Sequence, residues 1–200
     1  MKFLIVGLGN PGDEYDYTRH NIGRLATCAV AETLDAPAWE ADKPSKSLCS
    51  KVKAGKHEVF LTLPETFMNK SGFTASYLVK AKGIKPENTI VLYDDMDLPH
   101  GTLRMAFDRG SGGHRGVESV IKGLKTKAFM RIRIGVSPQT PGGKTKKPNS
   151  EEKVLKFLLG KMKDDEKKDF KKIFKRISEG LEVFFEEGRE KAMNVLNTGK

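Results

Sequence analysis

The chain has 200 residues, 38% of them hydrophobic, and a formal net charge of +10. That size and apolar content suit one α/β domain with one core, and no apolar run approaches the length of a membrane span. The N-terminal apolar run ends at Gly7 after a single lysine, too short for a secretory signal. Cys28 and Cys49 fit no disulfide or zinc spacing, so the chain reads as cytoplasmic and reducing. The excess of lysine and arginine points either to a polyanionic partner or to a lysine-rich solvated surface.

Residues 2–7 are predicted as a buried strand. Residues 20–34 are predicted as a helix with Ile22, Leu25, Ala26, Ala29 and Val30 on one side. Trp39 to Lys46 reads as a polar connection. Strands are expected over 49–54 and 58–63, joined by a turn at Gly55-Lys56. After Thr66-Phe-Met-Asn-Lys-Ser71 comes a helix with Phe73, Tyr77, Leu78 and Ala81 at helical spacing, stopped by Gly83 and Pro86. Residues 89–93 are expected as a strand ending in Asp94-Asp95-Met96-Asp97, and 102–107 as an edge strand. Gly110 to Gly116 opens a helix carrying Val117, Val120, Ile121 and Leu124, and 131–136 alternates as a strand. Residues 137–149 read as a flexible basic loop containing Lys144, Lys146 and Lys147. Helices are expected near 151–159, over 164–187 and after Gly188. Phe170, Ile173, Phe174, Ile177, Leu181 and Phe184 give the long one a docking face. Alternating strands and helices without a linker before 137 predict one layered α/β domain over 1–200, with the helices of 150–200 packed on it.

Gly7-Leu-Gly-Asn-Pro-Gly12 fits the dinucleotide pattern G-x-G-x-x-G, but its surroundings do not. Such a site needs a helix opening on the glycines, with free N–H groups toward a pyrophosphate. Pro11 has no N–H, and Asp13, Glu14 and Asp16 would repel phosphate.

Polar residues gather where strands end, the place where open α/β sheets build sites. These are Asn10 and His20 after the first strand, Asn69 after the strand containing Phe60, and Asp94 after Tyr93. His20 suits a general base, since imidazole titrates near neutrality, and Asp94 suits the carboxylate that fixes its tautomer. The competing reading of His20 is a helix-start residue capping backbone groups. No serine or cysteine stands in a nucleophile motif, which favours water as the nucleophile. Asp94, Asp95 and Asp97 form an alternative Mg²⁺ set, or ordinary turn residues. The loop from Gly110 to Gly116 is either a phosphate cradle with Arg115 beside it or a plain glycine-rich turn. The lysines and Arg176 over 167–176 fit a solvated face better than a specific site.

Six blocks in order resemble the bacterial-type peptidyl-tRNA hydrolase family. They are Ile5-Val-Gly-Leu-Gly-Asn-Pro-Gly12, Thr18-Arg-His-Asn21, Thr66-Phe-Met-Asn69, Asp94-Asp-Met-Asp-Leu-Pro99, Gly112-Gly-His-Arg-Gly116 and Arg131-Ile-Arg-Ile-Gly135. The resemblance implies a single three-layer domain with a mixed twisted β-sheet flanked by helices. It implies a monomeric, metal-free esterase, with no cofactor, that frees tRNA from a peptide. It makes His20 the base that activates water, Asp94 its partner, and Asn10 a residue that separates blocked from unblocked aminoacyl-tRNA. Tyr15, Phe67 and Asn69 match the groove for the peptide and the tRNA end, with Asn21 and Met68 beside them in the matching blocks. The family usually has Asn where Arg115 stands; Arg115 is expected to face the phosphate backbone or the terminal adenosine. Arg104 and Arg133 are further candidates for the tRNA side.

Overall fold

The structure is a computed structural model that describes residues 1–139, 145 and 148–198. Among these residues seven strands form one mixed sheet: β1 (Lys2–Gly7), β2 (Glu40–Asp42), β3 (Ser47–Ala54), β4 (His57–Pro64), β5 (Thr89–Pro99), β6 (Leu103–Phe107) and β7 (Met130–Ser137). Their spatial order is β2-β3-β4-β1-β5-β7-β6. β1 pairs in parallel with β4 and β5, and β5 with β7; the outer strands β2, β3 and β6 run antiparallel to their neighbours. Central parallel strands need crossover helices on both faces, and the helices α1 (Ile22–Thr33), α2 (Ser71–Lys82) and α3 (Arg115–Leu124) supply them. The last helices are α4 (Glu151–Leu158), α5 (Asp164–Glu187) and α6 (Arg189–Thr198).

Strand alternation divides the core in two. Phe3, Ile5, Ile90, Leu92, Ile132 and Ile134 face α1, α5 and α6. Leu4, Val6, Val91 and Tyr93 face α2 and α3. Among the described residues no helix is long and apolar enough to cross a membrane.

The structure refines several local expectations. β5 does not stop at Tyr93 but runs on to Pro99, because β7 continues to pair with it at Asp94, Asp95 and Pro99. The connection from Trp39 to Lys46 contains the short strand β2, held by β3. On α2, Phe73 and Tyr77 face solvent, while Ser71, Gly72, Thr74, Ala75 and Leu78 are buried. The reason is close approach to α3: a Cβ on Gly72 would stand 1.9 Å from the Ser119 carbonyl oxygen, so only small residues fit that face. The helix expected over 20–34 begins at Ile22, after a 3₁₀ turn at Arg19–Asn21. Of the basic loop expected over 137–149, Lys144, Lys146 and Lys147 lie outside the described residues.

Candidate active site

The loop after β1 is fixed by its own backbone. Leu8 N–H donates to the Leu92 carbonyl at 3.0 Å, and Arg24 N–H donates to the Leu8 carbonyl at 3.0 Å. α1 comes so close to β5 that a Cβ on Gly23 would lie 2.1 Å from the Leu92 oxygen. This contact sets the height of the 3₁₀ turn carrying His20. The same turn is pinned from the other side by Arg19, only 9% exposed. Its Nε and Nη2 donate to Glu166 at 2.8 and 2.6 Å, and Nη1 donates to the carbonyls of Phe157 and Gly160, both at 3.2 Å. The guanidinium lies 4.4 Å from the centre of the Phe157 ring. One side chain thus joins the His20 turn to the end of α4 and the start of α5.

Asn21 is buried and serves as scaffold. Its Oδ1 accepts the Asn10 N–H at 2.8 Å and its Nδ2 donates to the Asn10 carbonyl at 2.9 Å. Asn10 Oδ1 in turn accepts the Met68 N–H at 2.8 Å. That leaves the Asn10 Nδ2 donors without a partner among the described residues.

His20 and Asp94 meet: His20 Nδ1 lies 2.9 Å from Asp94 Oδ1. His114 joins them, its Nε2 3.0 Å from the same oxygen. Because His114 Nδ1 accepts the Val117 N–H at 3.2 Å, as N-cap of α3, its proton belongs on Nε2 and donates to Asp94. With His20 Nδ1–H donating to Asp94 as well, His20 Nε2 keeps its lone pair in the neutral ring. Burial works to raise the Asp94 pKa, but the facing histidines hold it far below the usual carboxylate range. For His20 burial works downward; the charge and hydrogen bond of Asp94 outweigh it, and the pKa is raised above 6.5. His20 is therefore paired with a buried carboxylate and does not cap a helix.

His114 was not singled out by sequence reasoning. It lies in Gly-Gly-His-Arg-Gly, and a histidine where a helix N-cap is expected was the available signal. That loop is occupied by its own cap, since His114 already takes the Val117 N–H.

His20, Asp94 and His114 are the one group of described residues whose ligand atoms lie within 4.8 Å of each other. Both imidazole N–H groups are committed to Asp94 Oδ1, so a cation among them would displace two hydrogen bonds. The alternative set of three aspartates does not converge: Asp95 takes Arg133 Nε at 2.6 Å and the Asp97 N–H at 2.7 Å, while Asp94 serves the histidines. The glycines of 7–12 open onto a loop, and α1 begins only at Ile22, which is no cradle for a dinucleotide.

A cavity of about 370 Å³ lies beside His20, walled by His114 and Arg115 on one side and by Glu151, Leu155 and Leu158 of α4 on the other. Arg115 spans its mouth and pairs with Glu151. The structure brings together Asn10, His20, Asn21, Met68 and Asp94. Phe67 and Asn69 are exposed on the turn that buries Met68, and Tyr15 is half-buried in the loop before His20. Arg133 leaves β7 on the side of Tyr93 and Asp95. Arg104 is not near the histidines; it lies at the sheet edge, donating to the carbonyl of Asn197 in α6.

Comparison with known proteins agrees with this fold. Residues 4–200 match the family model for peptidyl-tRNA hydrolase. The peptidyl-tRNA hydrolase of Aquifex aeolicus is 39% identical over 196 residues, covering 97% of this chain and 95% of the relative. That of Syntrophotalea carbinolica is 34% identical over 194 residues, covering 97% and 96%. The crystal structure of the enzyme from Acinetobacter baumannii superposes with a TM-score of 0.89 at 30% identity, covering 99% of this chain and 95% of that one. The chain belongs to the peptidyl-tRNA hydrolase family.

Proposed function

We propose that this chain hydrolyses the ester between a peptide, or an N-blocked aminoacyl group, and the 3′-terminal ribose of tRNA, using water activated by His20. The arrangement of two histidines on one Asp94 oxygen carries this reading. His20 Nε2 takes a proton from water, and the oxygen attacks the ester carbonyl carbon. Asn69 and nearby backbone N–H groups steady the oxyanion. Collapse breaks the bond to the ribose oxygen, which takes the proton back from His20. Asp94 holds the ring and stabilises the imidazolium, and His114 holds Asp94. Asn10, fixed at its backbone and Oδ1, offers Nδ2 to the carbonyl of the peptide bond next to the ester. Tyr15, Phe67 and Met68 line the groove; Arg104, Arg115 and Arg133 serve the RNA side. The enzyme works in the cytoplasm as a monomer and without metal.

The test is release of tRNA from N-acetyl-aminoacyl-tRNA by the wild-type chain in EDTA, beside the unblocked ester. Cleavage of the blocked ester supports the reading. Tight tRNA binding without cleavage would make the chain an RNA-binding relative, and activity lost to EDTA would overturn the metal-free mechanism.

A further inference from the structure

Among the described residues Arg115 is the only lysine or arginine lining the cavity beside His20, and it shares that cavity with two carboxylates, Glu151 and Glu152. It pairs with the first of them across the mouth, with side chains 64% and 80% exposed. The rest of the α4 wall is Val154, Leu155 and Leu158. The field of Arg115 reaches the catalytic ring, where it opposes protonation of His20.

The two ester substrates of such a cavity differ by one charge. In an unblocked aminoacyl ester the α-nitrogen is an ammonium one carbon from the carbonyl under attack; in a blocked ester it is a neutral amide. The carbonyl must sit beside His20, so the α-nitrogen lies within a few ångströms of it, in reach of the rim charges. Without Arg115 the mouth would present two uncompensated carboxylates, a good environment for an ammonium. With Arg115 one carboxylate is neutralised, and a cation faces the substrate amine.

Building on the hydrolase reading, we infer that Arg115 is a specificity-determining residue, whose guanidinium, held by Glu151, disfavours the α-ammonium of unblocked aminoacyl-tRNA. Asn10 reads the amide by hydrogen bonding; Arg115 rejects the amine by charge. The two effects come from different elements, Arg115 from α3 and Asn10 from the loop after β1.

The experiment compares kcat/KM for N-acetyl-aminoacyl-tRNA and for the same aminoacyl-tRNA unblocked, in wild type, Arg115→Asn, Arg115→Lys and Glu151→Gln. Contacts of Arg115 with the RNA cancel in the ratio, as do the effects of Asp94, His114, Glu151 and Glu152 on His20. In Arg115→Asn the preference for the blocked ester falls about threefold or more, the effect of one charge some 6 Å away in a water-like medium. Arg115→Lys retains the preference, and Glu151→Gln increases it. The wild-type preference also narrows as pH rises past about 8, where an α-amine loses its proton, and it narrows less in Arg115→Asn. Equal loss on both substrates, or an unchanged ratio, would overturn the inference while leaving the hydrolase reading intact. A wild-type chain that cleaves neither ester would overturn both.

Discussion

His20 and Asp94 shift in opposite directions, and the signs have consequences for both activity and stability. A histidine with a raised pKa stabilises the fold fully below its ordinary value of 6.5, and that contribution fades as pH rises through the raised value. A carboxylate with a lowered pKa stabilises above its ordinary 3.8, and the contribution fades as pH falls. Both are complete between about pH 4 and 6.5. In the proposed mechanism catalysis needs the neutral ring, so activity is expected to grow as the stabilisation from His20 declines. The acid limb of kcat/KM is expected to have its midpoint above 6.5, the ordinary histidine value. Asp94→Asn removes the charge that outweighs burial, so the midpoint should drop below 6.5 while kcat falls by about two to four orders of magnitude. A variant whose acid limb does not move would refute the pairing as the source of the shift.

At the level of elements, α4 and α5 are fastened to the turn carrying His20 by Arg19. Thr18 bridges to Lys161, Met162 N–H donates to the Tyr17 carbonyl at 2.8 Å, and Arg19 adds its fork to Glu166. Lysine cannot reproduce two parallel N–H bonds and a stacked plane. Arg19→Lys should therefore cost about 2–3 kcal/mol in unfolding experiments, somewhat less than breaking a fully buried pair. It should also raise KM, because α4 forms a wall of the cavity. Wild-type stability and KM in this variant would remove Arg19 from its fastening role. The free edge of β6 is closed in a related way: Asn197 of α6 exchanges two hydrogen bonds with the Met105 backbone, 2.8 and 3.0 Å. Much of this layer was legible in the sequence. The long helix ended at Gly188 as expected, and the edge strand lies at 103–107. His20 could be read because it follows the loop after β1; Asp94 was read from a strand end expected after Tyr93, although β5 runs on to Pro99. His114 could not, since its role depends on how α3 is seated against β5. The spacing of Phe73 and Tyr77 marked a helix without saying which face is buried; the glycine contact with Ser119 decides that.

Across the whole molecule, the net charge of +10 gives a general attraction to RNA, but its distribution is uneven. On α5, Lys167, Lys172 and Lys175 are matched by Asp164, Asp169 and Glu179 one turn away. That lacing suits a solvated face. tRNA affinity should weaken with salt: even two neutralised phosphates give about a tenfold loss between roughly 50 and 200 mM salt. A salt-independent affinity would contradict an electrostatic mode of binding. The central claim is that His20, held by Asp94, activates the attacking water. Single-turnover cleavage of N-acetyl-aminoacyl-tRNA by wild type and by His20→Ala, at equal tRNA occupancy, tests it most directly. The variant should bind tRNA normally and cleave about two to four orders of magnitude more slowly. Cleavage by His20→Ala at the wild-type rate would mean that the base lies elsewhere.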